Sequence, residues 1–300
     1  MRVGFIGLGA MGRPMALNFL KANHCLAVWS RRAESAQALV DAGAMRHPTP
    51  AEVARCSDVV FTMVTAGQDV EAVVLGDDGI IHGAHPDLVL VDCSTIDAGT
   101  VRRVAQRLAE LEVEMLDAPV SGGEVGAAAG TLSIMVGGKH TVFERIKPVL
   151  ECIGKTIVYV GPSGAGQIAK AANQLCLVVT IQGVAEAILF ARANGVDFQP
   201  IWEALTKGLA GSRILEIFGP RMMNREFVMG IDASLHHKDA HIVLQTARES
   251  LVAVPAAALA AQAFNALFAR PGVRWDSAAV LAVMEEMCGY PGREVASIAS

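Results

Sequence analysis

The feature that most restricts what this chain can fold into is Gly7-Leu8-Gly9-Ala10-Met11-Gly12, because it stands between two stretches of different periodicity. Residues 3–6 form a short apolar run suited to a buried strand, and residues 11–21 carry a helical pattern. Passing from strand to helix in so few residues needs a first glycine for the tight turn. A second lets the backbone approach a pyrophosphate, and a third lets helix and strand pack closely. Gly7, Gly9 and Gly12 supply the three, with Ala10 and Met11 completing the turn. Free N–H groups and the helix dipole would then face the phosphates. Glycines punctuate many turns, but here the strand, the helix and the N-terminal position agree on a dinucleotide site.

The alternation continues through the first half. Residues 25–29, 59–63, 88–92 and 113–117 read as further brief strands rich in Val, Ile and Leu, as in a parallel sheet covered on both faces. Helical stretches at 33–41 and 100–110 lie between them, and strands at 131–136 and 156–160 flank a helix at 142–152. This order predicts an α/β fold with a doubly wound, Rossmann-like sheet. After Gly161-Pro162-Ser163-Gly164 the pattern changes. Residues 166–194 are helix-forming and end on Asn194-Gly195, a natural stop. Such a helix would be roughly 40 Å long, enough to join two domains. The remainder to Ser300 is rich in Ala and Leu with little strand character. The expected domains are therefore a dinucleotide-binding Rossmann domain over 1–163 and an all-helical substrate and oligomerisation domain over 164–300.

Composition sets the other bounds. The chain is 52% hydrophobic and 18% charged, which predicts helices buried on most of their surface, inside a domain or between subunits, and so a homodimer or homotetramer. The two candidate membrane spans are interrupted, 175–193 by Gln182, Glu186 and Arg192 and 252–269 by Gln262 and Asn265, so no membrane association is expected. Arg2 before an apolar stretch resembles a signal peptide, but glycines at fixed offsets and then Arg13-Pro14 argue otherwise. A net charge of −5 gives no basic footprint for nucleic acid. Cys25, Cys56, Cys93, Cys152, Cys176 and Cys288 are scattered among apolar neighbours, as buried thiols are, and contain no C-x-x-C. No metal site is expected from them, and a reduced, cytoplasmic compartment fits.

The end of the second strand usually selects the cofactor. An acidic residue there bonds the ribose hydroxyls of NAD, while arginine favours the 2′-phosphate of NADP. This chain has Ser30-Arg31-Arg32 and no carboxylate until Glu34. Either the guanidiniums receive a phosphate monoester or they are solvated loop arginines; the first predicts NADP(H) ahead of NAD(H).

Two further stretches carry chemistry. Asp117-Ala118-Pro119-Val120-Ser121-Gly122-Gly123 follows a predicted strand, and Ser-Gly-Gly there is either a plain turn or a set of backbone N–H groups facing an anion. Gly164-Ala165-Gly166-Gln167-Ile168-Ala169-Lys170-Ala171-Ala172-Asn173-Gln174 opens the long helix. Lys170 and Asn173 are three apart and share a helical face, with Gln174 beside them. A lysine interrupting an apolar surface either snorkels to water or is buried for chemistry.

Four motifs in order, GFIGLGAMGRPMA, DAPVSGGEVGAAAGTLSIMVGG, GAGQIAKAANQ and HHKDAHI, make the chain resemble the β-hydroxyacid dehydrogenases over nearly its whole length. The resemblance implies that Lys170 is the general acid/base, that Ser121, Gly122 and Gly123 bind the substrate carboxylate, and that Asn173 positions the substrate. It implies cofactor contacts at Thr95 and Lys238. It also assigns Met63, Val64 and Thr65 to the cofactor loop, although Thr65 stands where the family often has proline. The reaction implied is hydride transfer between a nicotinamide and a small aldehyde acid, with Lys170 protonating the developing alkoxide. Gly208-Leu209-Ala210-Gly211-Ser212 resembles the form seen in tartronate semialdehyde reductases, which would make the products glycerate and oxidised cofactor. The alternatives are 3-hydroxyisobutyrate dehydrogenase or a glyoxylate or succinic semialdehyde reductase. Relatives that bind without catalysis, and similar imine reductases, replace the lysine, so the intact Lys170 argues against both.

Other candidates are set aside. His237 and His241 have the four-residue spacing of a metal pair, but Lys238 lies between them and the sequence suggests no third ligand. Asp77-Asp78-Gly79 lacks the downstream carboxylates of a calcium loop. Met222-Met223 reads as core or interface.

Overall fold

The computed structural model describes residues 1–228, 230–270 and 274–290. The last ten residues of the helical domain expected over 164–300 lie outside them. The described residues divide into two units, Met1–Lys170 and a second that begins at Ala171.

The first unit is built on one sheet of β1 (Arg2–Ile6), β2 (Cys25–Trp29), β3 (Met45–Arg46), β4 (Val59–Thr62), β5 (Val89–Asp92), β6 (Glu114–Asp117), β7 (Val120–Ser121), β8 (Leu132–Gly137) and β9 (Gly154–Gly161). The order is β3-β2-β1-β4-β5-β6-β8-β7, with β9 paired to β8. The six strands from β3 to β6 run parallel, and the chain crosses from one side of β1 to the other between β3 and β4. That reversal defines the switch point at which such sheets bind ligands. β8 pairs antiparallel with β6 and β7 and parallel with β9, so the sheet is mixed at this end.

Alternation along the strands sends side chains into two cores. Val3, Phe5, Val59, Phe61 and Val91 meet Met15 and Phe19 on one face, while Ile6, Val60 and Leu90 meet Val53, Val70 and Val101 on the other. The helices supplying these partners are α1 (Gly12–Lys21), α2 (Gln37–Asp41), α3 (Pro50–Arg55), α4 (Gly67–Leu75), α5 (Ala98–Ala109), α6 (Gly123–Ala129) and α7 (His140–Leu150). The doubly wound α/β fold is as expected. Four details differ. The helix expected over 33–41 is a 3₁₀ turn followed by a five-residue helix. Strands β3 and β7 have two residues each, too short for any periodicity to register. Helices α3, α4 and α6 fill stretches not assigned from the sequence. Among the cysteines only Cys93 is buried, and Cys25, Cys176 and Cys288 are exposed, because apolar neighbours in sequence point to different faces of their element.

Helix α8 (Ala165–Ala193) begins within the first unit and continues into the second, which adds α9 (Phe198–Lys207), α10 (Arg213–Met223), α11 (Ala233–Glu249), α12 (Pro255–Phe268) and α13 (Val280–Met287). Ser212, Asp232 and Asp276 each accept a backbone N–H two or three residues ahead, stopping and starting the chain at α10, α11 and the turn before α13. By length and composition α8 could cross a bilayer. Its apolar positions Val178, Ile181, Ala185 and Ile188 are instead fully buried against Phe218, Phe264 and Leu281. Gly208-Leu209-Ala210-Gly211-Ser212 is the connection between α9 and α10, with Leu209 fully exposed.

Candidate active site

The parallel register places three loops side by side. Ile6 is level with Trp29 on one neighbour and with Thr62 on the other, so the segments after β1, β2 and β4 leave from one edge of the sheet. These segments hold Gly7 to Gly12, Ser30 to Arg32, and Met63 to Thr65. Gly7 N–H donates to Trp29 O at 3.2 Å and Met63 N–H to Ile6 O at 2.9 Å, which ties the loops together.

The three glycines separate by what constrains them. Gly7 has φ +96°, and a Cβ there would lie 2.2 Å from the Met63 carbonyl oxygen. A Cβ on Gly12 would lie 1.9 Å from the Gly7 carbonyl oxygen. At Gly9 nothing stands within 4 Å. The protein's own backbone therefore demands the first and third glycines, while the second faces open space where a pyrophosphate would fit. Gly9 and Ala10 are exposed and Met11 is half-buried. No side chain caps α1 and no acidic residue occupies its first turn, so its positive end is available to an anion. Arg31 and Arg32 are exposed, and among the described residues neither forms an ion pair. In the third loop, Val64 N–H donates to Ser94 Oγ at 3.0 Å and Thr65 is exposed.

Two carboxylates close the next strands. Asp92, at the end of β5, accepts from Thr62 Oγ1 at 2.7 Å and from Ser94 N–H at 3.2 Å through Oδ1. Its Oδ2 is buried with no hydrogen-bond partner among the described residues. Burial pushes its carboxyl up to about 6, against the opposing pull of the Ser94 and Thr62 hydrogen bonds. Asp117, at the end of β6, accepts Gly164 N–H at 2.8 Å on Oδ1 and Gln167 N–H at 3.0 Å on Oδ2. It caps α8. Burial also pushes this carboxyl up to about 6, opposed by those backbone donors.

The first turns of α8 are clamped twice more. Gln167 is 2% exposed; its Oε1 accepts Ile96 N–H at 3.2 Å and its Nε2 donates to Ser94 O at 2.8 Å. Thr95 is thereby held between two fixed backbone groups. Lys170, one turn further, is 7% exposed, and its Nζ donates to Val120 O at 2.8 Å. Val120 and Ser121 form β7, and Ser121 is level with Ser133 of β8. Gly122 and Gly123 then have φ +136° and +61°, both are exposed, and a Cβ on Gly123 would meet nothing within 4 Å. Lys170 is thus buried rather than extended to water, with its Nζ held beside the Ser-Gly-Gly turn.

Within the second unit the predicted residues Asn173 and Lys238 belong to one polar chain. Asn173 Nδ2 donates to Gln174 Oε1 at 2.7 Å, and the buried Gln174 Nε2 donates to Asp239 Oδ2 at 2.5 Å. Asp239 Oδ1 lies 3.3 Å from Lys238 Nζ, an ion-pair distance. This links α8 to α11 through two of the sequence motifs.

Asp117, Gln167, Gln174 and Asp239 stand inside the sequence motifs without an assigned role, and Asp92 closes an expected strand with none. The available signal was polarity inside apolar segments, since a buried polar side chain must find a partner.

These features define a dinucleotide-dependent oxidoreductase. Residues 2–161 match the family described as the NAD binding domain of 6-phosphogluconate dehydrogenase. Residues 164–284 match that described as NAD-binding of NADP-dependent 3-hydroxyisobutyrate dehydrogenase. The chain is 42% identical to 2-hydroxy-3-oxopropionate reductase of Escherichia coli strain K12, over 97% of this chain and 99% of that one. It is 37% identical to NAD-dependent L-serine dehydrogenase of Pseudomonas aeruginosa, over 89% and 92%. Among solved structures, 3-hydroxyisobutyrate dehydrogenase of Mycobacterium tuberculosis with L-serine superposes with a TM-score of 0.86 at 30% identity, covering 95% of this chain and 99% of that one. The chain belongs to the β-hydroxyacid dehydrogenase family and is an NAD(P)-dependent enzyme of that family.

Proposed function

We propose that the enzyme reduces a small aldehyde acid to its hydroxyacid with NADPH, and that the substrate is tartronate semialdehyde (2-hydroxy-3-oxopropanoate), giving glycerate. The observation that carries the chemistry is Lys170, buried and held 2.8 Å from Val120 O next to Ser121. NADPH, when bound, would provide the hydride for reduction of the aldehyde carbon. The Lys170 ammonium gives its proton to the carbonyl oxygen as negative charge develops there. Backbone N–H groups of Ser121, Gly122 and Gly123 receive the carboxylate and fix the distance of the carbonyl from the lysine. Gly7, Gly9, Ala10, Met11 and Gly12 would hold the pyrophosphate, Arg31 and Arg32 with Ser30 would hold a 2′-phosphate, and Met63, Val64, Thr65 and Thr95 would line the cofactor. Asn173 as substrate-positioning residue and Lys238 as cofactor ligand rest on the family resemblance.

The choice of tartronate semialdehyde is supported by the 42% identity to an enzyme named for that substrate, against 37% for the serine and 3-hydroxyisobutyrate dehydrogenases of Pseudomonas aeruginosa. In this reading residues 1–163 bind the cofactor, and residues 164–300 serve substrate binding and self-association. The exposed Phe190 of α8 and Leu259 of α12 favour a homodimer or homotetramer. The enzyme works in the cytoplasm, with neither nucleic acid nor membrane as partner.

The test is turnover of tartronate semialdehyde, methylmalonate semialdehyde, glyoxylate and succinic semialdehyde with NADPH and with NADH, alongside Lys170→Ala. Lys170→Ala should lose about 10²–10⁴-fold in turnover while binding NADPH almost normally. Near-normal turnover in that variant rejects the lysine assignment, and binding of NADPH with no turnover of any of these aldehyde acids rejects the substrate reading. A light-scattering mass of a single chain rejects the oligomer.

A further inference from the structure

The dehydrogenase reading leaves one cluster of ligating side chains in the second unit without a role. His237 and His241 lie one turn apart on α11, and Asn265 faces them from α12, which packs alongside through Ala240, Ala260, Ala261 and Phe264. His237 Nε2 and His241 Nε2 are 3.2 Å apart. Asn265 Oδ1 lies 2.9 Å from the first and 3.1 Å from the second. The ring centroids are 4.6 Å apart, so the two imidazoles converge on their nitrogens. Asn265 Nδ2 is turned the other way, donating to Gln262 Oε1 at 3.3 Å, which keeps the amide oxygen toward the histidines.

Three such contacts cannot all be hydrogen bonds. If both Nε2 atoms carry protons and donate to Asn265 Oδ1, the two N–H groups oppose each other. If one Nε2 is bare and accepts from the other, its lone pair faces the amide oxygen. One repulsive contact remains under either tautomer choice. A cation seated just off the plane of the triangle removes it, because both imidazole lone pairs and the amide oxygen then face positive charge.

The distances agree with this. Ligands ~2.1 Å from a metal stand about 3.0 Å apart in an octahedral shell and about 3.4 Å apart in a tetrahedral one. The observed edges of 2.9, 3.1 and 3.2 Å fall across that span. We propose that His237, His241 and Asn265 form a binding site for a divalent transition-metal ion that clamps α11 to α12. The two imidazoles select a borderline ion such as zinc or nickel, the amide oxygen is the weaker third donor, and water completes the shell on the exposed side of His241. The third donor comes from the neighbouring helix, 24 residues from His241, so spacing within α11 could not reveal it.

The experiment is calorimetric titration of tag-free, chelator-treated full chain with Zn²⁺ and with Ni²⁺, and absorption spectroscopy with Co²⁺. One ion per chain should bind, with a Co²⁺ spectrum free of the intense near-ultraviolet band that thiolate ligation gives. His237→Ala and His241→Ala should each weaken binding at least tenfold, and Asn265→Asp, which adds a charged oxygen, should tighten it. Metal should raise the melting temperature of the parent protein but not of the His237→Ala/His241→Ala double variant. Absence of saturable binding at millimolar metal overturns the proposal, as does unchanged stoichiometry and affinity in the double variant. Circular dichroism confirms folding of the alanine variants, and failure of Asn265→Asp to alter affinity likewise counts against the site.

Discussion

The Asp117 carboxylate holds Gln167 by its backbone N–H at 3.0 Å, one turn ahead of Lys170 on the same helix. With Gly164 N–H on the other oxygen at 2.8 Å, the end of β6 determines where α8 begins. The position of Lys170 is therefore set by a carboxylate that holds the turn before it.

Asp117→Asn should expose this dependence. An amide offers one acceptor where the carboxylate offers two, and turns its NH₂ toward a backbone donor. Stability should fall by about 1–3 kcal/mol. Turnover should fall about 10- to 100-fold, since misplacement of a reacting group is costly, while NADPH affinity holds. Urea unfolding and steady-state kinetics measure both, and a destabilised variant with full turnover would show that the cap does not aim Lys170.

The buried Asp92 predicts an inverted pH dependence of stability. Its carboxyl is raised from 3.8 to about 6, chiefly by burial. Between those values the unfolded chain has released the proton and the folded chain keeps it, so this residue's contribution falls as pH rises and is lost above about 6. Asp92→Asn cannot ionise. The stability of the variant relative to the parent should climb by up to about 3 kcal/mol between pH 4 and 7. Unfolding measured across that range decides it, and a flat or falling difference sinks the assignment.

Gly9→Ala and Gly12→Ala should fail in different assays. The Gly12 methyl would lie 1.9 Å from a backbone oxygen and should cost about 3 kcal/mol or more of stability. The Gly9 methyl meets no protein atom, so the melting temperature should barely move while the Kd for NADPH rises at least tenfold. Equal loss of stability in both variants would contradict the reading of the turn.

Arg31→Ala combined with Arg32→Ala should raise the KM for NADPH about 10- to 100-fold, the worth of charge-assisted hydrogen bonds to a phosphate. The KM for NADH should be nearly unaffected. Both side chains are exposed, so stability should hold. Equal effects on the two cofactors would mean that the arginines do not contact the 2′-phosphate.

What the sequence disclosed follows from how local each signal is. Gly7, Gly9 and Gly12 are read within one turn, and residues 59–61 and 88–91 are continuous apolar runs, so the glycine turn and the central strands were legible. Lys170 stood out as a charge in an apolar helix. Its partner, Val120 O, did not, because a carbonyl has no identity in a sequence. Asp117 and Gly164 are 47 residues apart, and Gln174 and Asp239 are 65 apart. Only the assembled sheet and helices bring such pairs together. The two-residue strands β3 and β7 were invisible because alternation needs more length to show.

The cap at Asp117 also limits how this segment can change length. Each residue of an α-helix advances the side-chain direction by about 100°. Because Gly164 and Gln167 are pinned to one carboxylate, the angular phase of every following residue is counted from that point. A single insertion or deletion between Gln167 and Lys170 would swing the lysine away from Val120 and put Ala169 or Ala171 in its place. Substitutions on the exposed side of these turns leave the count unchanged. The start of α8 is thus a segment that can vary in spelling but not in length.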